Sequence, residues 1–468
     1  MANHEKMAKM TSGHDLPESL VEKIISHFPI DIATRAKLVS KKFINSWKLS
    51  RHLSFNEHKV YFNSSQVPFV GFVSNIMHQH SGSKIETFHL KMGQINDEIT
   101  VSNWIRLAIA KGVENLELEF WGFPQHFPIT SALIDNDTSI RVLRLQSCDL
   151  QFSPRLRGLK LLKTLNLVNM NLISSRIQII LNNCLALQDL EFLNCNFINH
   201  TLEIMAKDLK RFKSLKVVQI SRDLDSMFID APTLQTLYYK GNVCSISISC
   251  VLTNLFAALF NFGPNKKLNR LHRVEYLVPA LHYCKKLSIC SKILEELTPK
   301  FNGCHYAERF PYWFPALWEL NLYLGGSSLD HGRGTTFVNP YDIMAFLMKC
   351  PRINTLLIDL GQNAFEEGLF WKRMTMVPFF NSRPFFPFLT NLTVKGFKYR
   401  NLEFQLVRKI VESAPFVGKR VTLIRSKKNH NHTPESEKEL LDWLKTQRCL
   451  YNLEVERVRR RGNTLVDF

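Results

Sequence analysis

Paired cysteine motifs are missing from this sequence. Its 468 residues hold ten cysteines, too sparse for a disulfide framework, and no Cys-x-x-Cys pair occurs, so a finger-type structural zinc has no ligand set. Long apolar runs are missing too. The most apolar stretch, Val251–Gly263, is interrupted by Thr253, Asn254 and Asn261, whereas a membrane span needs about 20 mostly apolar residues. Glycine and proline number only 19 each, which excludes collagen-like and low-complexity chains. The first residues, Met1–Gly13, are polar and carry no apolar export core, so free thiols in a reducing compartment are expected. Catalytic constellations are absent as well. The glycine-rich stretch Gly325–Gly334 lacks the Gly-Lys-Ser/Thr end of a phosphate loop. His78/His80 and His430/His432 have no partner at a metal spacing and read as surface histidines. No metal, cofactor or catalytic residue is expected.

What is present is an ordinary globular composition, 45% apolar and 22% charged, with one unusual bulk property, a formal charge of +19. At the front, Asp15-Leu16-Pro17-Glu18 has the form of a capping box, and Leu20, Val21, Ile24, Ile25 and Phe28 follow at helical spacing. Phe28-Pro29 stops that helix, Asp31 can cap the next, and Phe43 and Trp47 close a compact helical unit. About 40 residues bury too little surface to be robust alone.

Farther on a repeat takes over. Ile140, Leu143, Leu145, Cys148 and Leu150 fill the five key positions of the frame L-x-x-L-x-L-x-x-N/C-x-L. So do Leu162, Leu165, Leu167, Met170 and Leu172, and again Leu187, Leu190, Phe192, Cys195 and Phe197. Degenerate copies place strand pairs at Leu116/Leu118, Val218/Ile220, Leu237/Tyr239, Leu320/Leu322, Leu356/Ile358 and Leu392/Val394. Alternation within each short strand buries the pair and turns the residue between outward. The rest of each repeat returns on the other side, as Ser175–Leu181 does in helical form. The frame weakens between 242 and 316, which reads as long excursions between repeats. Cys148 and Cys195 hold the ninth position, and Cys184 and Cys350 precede a repeat by three residues, so structural packing is their expected role.

These residues resemble a known family. Asp15-Leu16-Pro17-Glu18 through Ile24, Phe28-Pro29, Ala33, Arg35, Leu38-Val39-Ser40-Lys41 and Trp47 resembles the plant F-box. Trp104-Ile105 and Gly112–Leu118 are similar to the first repeat behind such F-boxes. Asp230-Ala231-Pro232 with Leu234, Tyr239 and Gly241 is similar to a later block. Leu392–Phe397, Leu406-Val407 and Glu412-Ser413-Ala414-Pro415 resemble the FBD segment that closes many of these chains. Lys42-Phe43 departs from the Arg/Trp pair often found there.

The expected fold is α/β: a short all-helical F-box, a leucine-rich-repeat solenoid built on a curved parallel sheet, and an FBD-like end. The expected boundaries are a tail at 1–12, F-box 13–55, repeats 56–384, FBD-like segment 385–426, and a basic tail 427–468 with a short helix and strand. The resemblance implies a substrate receptor of a Skp–cullin–F-box ubiquitin ligase that does no chemistry itself. Leu16, Pro17, Leu20, Ile24, Phe28, Pro29, Leu38, Val39 and Trp47 are the candidate contacts to a Skp-type adaptor, and through it a cullin. An unknown target protein would meet the concave strand face. Its candidate contacts are Glu117, Glu119, Arg144, Asp189, Glu191, Tyr238 and Tyr323. With Glu319 and Asp359 added, that face reads as acidic to mixed, which disfavours nucleic acid. The alternative is a leucine-rich scaffold outside any ligase. From Lys395 to Phe468 there are 17 Lys/Arg against 9 Asp/Glu. The cluster Arg457, Arg459, Arg460, Arg461 is either a solvated tail or an import signal, so the expected location is the nucleus, the cytoplasm or both.

Overall fold

A computed structural model describes residues 18–25, 28, 30, 32, 46–58, 68–93, 97–121, 126–130, 137–154, 156–219, 224–262, 277–294, 314–324, 340–361, 386–414, 420–425, 434–447 and 449–455. The chain divides into two compact units, Met1–Cys195 and Asn196–Phe468.

In the first unit, helix α1 (Glu18–Ile25) precedes a single 3-10 turn, Ser46–Leu49, and packs against it. Strands β1 (His52–Asn56), β2 (Thr87–Met92), β3 (Asn115–Phe120), β5 (Val142–Gln146), β7 (Thr164–Val168) and β9 (Asp189–Leu193) form an all-parallel ladder. The ladder thus starts at His52, inside the stretch the sequence assigns to the F-box. In each strand two residues point inward: Leu53/Phe55, Phe88/Leu90, Leu116/Leu118, Leu143/Leu145, Leu165/Leu167 and Leu190/Phe192 are all buried. Each such side chain contributes roughly 1.5–3 kcal/mol by leaving water. Helices α2 (Phe69–Gln79), α3 (Glu98–Ala110) and α4 (Ser174–Asn183) cover the return side. Asp97 caps α3 by accepting from the Ile99 and Thr100 amides at 2.9 and 3.2 Å. The remaining strands are β4 (Phe127–Thr130), paired in parallel with β6 (Cys148–Gln151), and the two-residue β8 (Asn171–Leu172). Part of the return side is therefore itself β-structure.

The second unit repeats the plan. After β10 (Asn196–Phe197), its ladder runs β12 (Ser214–Val218), β14 (Thr236–Gly241), β16 (Ala257–Phe262), β17 (Lys286–Cys290), β18 (Glu319–Tyr323), β19 (Thr355–Asp359), β20 (Asn391–Phe397), β21 (Arg420–Arg425) and β22 (Leu450–Val455), parallel throughout. A second ladder joins β11 (Thr201–Met205), β13 (Ser226–Asp230) and β15 (Ser245–Ile248). Helices α5 (Leu277–Ala280), α6 (Pro340–Leu347), α7 (Asn401–Glu412) and α8 (Pro434–Thr446) complete it. Gly396, with φ +72°, forms the bulge at which β20 shifts register against β21. A Cβ there would sit 2.6 Å from the Gly361 carbonyl oxygen.

Three sequence expectations are corrected. The inward pair of β12 is Leu215/Val217, set by register with Leu237 and Tyr239; Val218 is not part of it and Ile220 lies outside the described residues. Where the sequence frame weakens, between 242 and 316, the described residues hold two further rungs, β16 and β17, with Ala258/Phe260 and Leu287/Ile289 inward. His80 is not a surface histidine: it is buried, and only His78 of that pair is exposed.

Candidate interaction surfaces

The α1 face is the first. The sequence places Leu20, Ile24 and Phe28 at intervals of four, one row along a helical turn. They are 45%, 41% and 39% exposed, while Ile25 and Ile30 beside them are 1% exposed. The Phe28 amide still donates to the Ile25 carbonyl at 3.0 Å, so the row continues past the end of the helix. Trp47, in the 3-10 turn, is half-buried with the Lys48 ammonium 5.8 Å from its ring centre. Leu16, Pro17, Pro29, Leu38 and Val39 lie outside the described residues. The 3-10 turn is tied to the repeats: the Ser81 and Gly82 amides donate to the Lys48 carbonyl at 2.9 and 3.1 Å.

The outward ladder face of the first unit is the second. Ser54, His89, Glu117, Arg144, Asn166 and Glu191 stand in one row by strand register. Glu119, two residues beyond Glu117, is the most buried acid of this face and gathers the cations around it. The Lys91 ammonium is 2.9 Å away, His89 Nε2 3.6 Å and Arg144 Nε 3.7 Å. His89 and then Lys91 hold the carboxyl down at about 2 against the opposing effect of burial. At 3.6 Å the His89 contact is longer than a hydrogen bond, so it acts through its dipole or charge, and Lys91 makes the direct bond. Asp189 accepts from the Thr164 hydroxyl at 3.4 Å. At the rim Trp121 stacks on His58 with ring centres 4.5 Å apart, and Lys91 lies 5.9 Å from the Trp121 ring. The stack needs glycine at position 93, where a Cβ would sit 2.8 Å from Trp121 Nε1.

Among the described residues one grouping has metal-ligand character: His89, Glu117 and Glu119, with donor atoms within 4.8 Å of one another. Lys91 and Arg144 already compensate Glu119, so the arrangement reads as an ion-pair network. It supplies no nucleophile. The buried thiols among the described residues supply none either. Cys148 donates to the Gln146 carbonyl and Cys195 to the Leu167 carbonyl at 3.5 and 3.2 Å. Burial raises the Cys148 and Cys350 thiols and pushes Cys184, Cys244 and Cys284 up to about 12.

On the second unit's ladder the outward middle row begins Lys216, Tyr238, Leu259, Ser288, Asn321. Lys216 lies 5.5 Å from the Tyr238 ring. Burial, then Asp359 and Tyr238, push the Tyr323 phenol up to about 12, so the two tyrosines share one patch. Glu319 pairs with Lys286 at 2.9 Å. The face is mixed. Sequence reasoning missed His89, Lys91, Lys216, Lys286 and Trp121, although Phe88-His89-Leu90 carries the strand signature that would have found the first two.

The matching family model is described as the leucine-rich-repeat domain of At1g61320/AtMIF1, and it covers residues 76–451. That is well over half of the chain. The chain belongs to this family. FBD-associated F-box protein At1g61320 of Arabidopsis thaliana is 30% identical over 442 residues, 91% of this chain and 92% of that one. A second FBD-associated F-box protein, At1g61330, provisionally so named, is 30% identical over 430 residues, 90% of this chain and 93% of its own length. F-box/LRR-repeat protein At3g58900 of the same plant is 27% identical across 53% of this chain and 78% of that one. The leucine-rich-repeat model accounts for the parallel ladders within 76–451, and the relatives are named as F-box and FBD-associated proteins.

Proposed function

We propose that this F-box/leucine-rich-repeat chain is the substrate-recognition subunit of a Skp–cullin–F-box ubiquitin ligase. The single observation that carries the reading is the row Leu20, Ile24, Phe28, left in solvent while Ile25 and Ile30 are buried. An apolar row on so small a unit is costly unless a partner covers it, and a Skp-type adaptor fits the F-box character of the segment. Such docking buries about 1,200–2,000 Å², with a few apolar anchors supplying most of the affinity. A cullin would join through the adaptor, and the ladder faces would hold a target protein. Proximity is the whole chemical contribution: it raises the local concentration of target lysines near a loaded conjugating enzyme.

Co-expression with a plant Skp-type adaptor and size-exclusion chromatography test this. The wild type should co-elute with the adaptor, and Leu20→Asp with Ile24→Asp should not, at unchanged far-UV circular dichroism. Should the wild type recover no adaptor, the receptor reading fails and the scaffold outside a ligase replaces it.

A further inference from the structure

Register aligns the turns that lead into β17, β18, β19 and β20. Four residues before each strand stand His282, Pro315, Pro351 and Pro387, and three before stand Tyr283, Ala316, Arg352 and Phe388. One before stand Lys285, Trp318, Asn354 and Thr390, linked by backbone bonds: the Trp318 amide donates to the Lys285 carbonyl, Asn354 to Trp318 and Thr390 to Asn354. Phe256 continues that line, because the Lys285 amide donates to its carbonyl at 3.1 Å. His282, Tyr283, Pro315, Ala316, Pro351 and Arg352 line an open cleft of about 400 Å³.

The position one residue before each strand is filled differently in the first unit, where Leu161 and Leu185 are the exposed apolar residues of the turns. There the line is Glu86, Glu114, Arg141, Lys163. It is an ion-pair ladder: Arg51–Glu86 at 2.9 Å, Lys84–Glu114 at 2.6 Å and Arg141–Glu114 at 3.3 Å. In the second unit the equivalent line carries Phe256 and Trp318, both about half exposed, and Phe388 and Tyr283 stand equally exposed beside them. Four large aromatics held in water along one edge are an unpartnered apolar surface. Apart from the paired Lys286 and Glu319, the charges next to them among the described residues are cationic. Lys285 and Arg352 are exposed and take no ion pair among the described residues, and no carboxylate lines the cleft. Lys286 is already engaged, with Glu319 at 2.9 Å and the Phe256 ring at 5.6 Å.

We infer that this edge of the second unit is a docking groove for an extended acidic peptide segment of a partner protein that carries an aromatic or leucine anchor. Strands about 4.8 Å apart make three steps of roughly 15 Å, the reach of four or five extended residues. Proline rings and aromatic faces give an apolar floor, and Arg352 and Lys285 take the peptide's carboxylates. A nucleic acid fits less well, since it needs a continuous cationic stripe to follow its phosphates. The groove shares no residue with the α1 row or the ladder faces, so its test does not depend on adaptor binding.

The full chain is panned against a phage-displayed library of random twelve-residue peptides, and enriched sequences are synthesised and titrated by fluorescence anisotropy. Acidic peptides with an aromatic or leucine should be enriched. Their affinity should fall at least roughly tenfold in Trp318→Ala and in Arg352→Glu. Arg352→Lys should restore part of the binding, and the Leu20→Asp/Ile24→Asp variant should bind as wild type does. The proposal is overturned if no such sequences are enriched, or if both groove variants bind them unchanged. Poly-uridine RNA that binds through the same two residues, with no peptide bound, would overturn it in favour of nucleic acid.

Discussion

The Lys111 ammonium lies 2.9 Å from Nδ1 of His80, and Nε2 of the same ring lies 2.9 Å from the Ser50 carbonyl oxygen. A lysine ammonium only donates and a carbonyl only accepts, so the ring is neutral with its proton on Nε2. Lys111 also donates to the His80 and Gly82 carbonyls at 2.7 and 3.0 Å. One lysine and one histidine thus join the end of α2, the turn after α3 and the chain leading into β1.

Burial, helped by the Lys111 charge, lowers the His80 pKa below 6.5. Between that lowered value and 6.5 the unfolded chain binds the extra proton and the folded one does not. Stability from this group is therefore complete above about pH 6.5 and is lost as the pH falls below it. Thermal midpoints measured from pH 7.5 to 5.5 should decline in the wild type and decline less in His80→Gln. Lys111→Met should cost about 1–3 kcal/mol at pH 7.5 through the carbonyls it leaves unpaired.

Glu119 has the same sign of dependence in a lower pH window. Its carboxyl is held at about 2 against an ordinary 4.5, so its contribution is full above pH 4.5 and lost as the pH falls toward 2. Glu119→Gln should lower the urea unfolding free energy at pH 7 by about 3 kcal/mol at most. The gap to wild type should close as the pH drops from 5 toward 2; a gap that does not change with pH would refute the ion-pair account.

The α7–α8 contact rests on a stacked cation. The Arg408 guanidinium lies 5.5 Å from the Trp443 ring and also 3.2 Å from Glu439. Trp443→Ala should cost about 0.5–2 kcal/mol beyond its packing loss and speed amide hydrogen exchange across Pro434–Val455. Slow exchange in that variant would show that α8 is held by other contacts.

Thiol chemistry should separate one cysteine from the rest. Of the nine described thiols only Cys250 is not buried. In a Cys304→Ser background, Ellman's reagent should show one accessible thiol in the native chain and nine in guanidinium. Adding Cys250→Ser should abolish the native signal.

The three repeats with all five positions filled announced themselves because leucine, isoleucine, methionine, cysteine or phenylalanine occupies every inward slot. Where two alternations overlap, as in Leu215-Lys216-Val217-Val218-Gln219-Ile220, the local pattern does not choose between frames. Pairing with Leu237 and Tyr239 chooses, and that is a long-range fact. β16 escaped notice because Ala258 offers a weak apolar signal for a position that is nonetheless buried. The outward side chains carry no signature of their own. Lys91, Glu119 and Arg144 become neighbours only once three strands are in register. His80 misled for a similar reason: two residues from an exposed histidine, it faces the other way at the end of its helix.

The intervals between strands differ widely while the pairing does not. Asn115, Val142, Thr164 and Asp189 open successive rungs with 27, 22 and 25 residues between starts, and Lys286, Glu319 and Thr355 do so with 33 and 36. A rung senses its neighbours, not the length of chain that leads to them. Insertions and deletions can therefore accumulate between rungs over evolutionary time at little energetic penalty, while a change to an inward leucine is felt at once. Divergence among relatives should concentrate in the connecting stretches and leave the rungs readable.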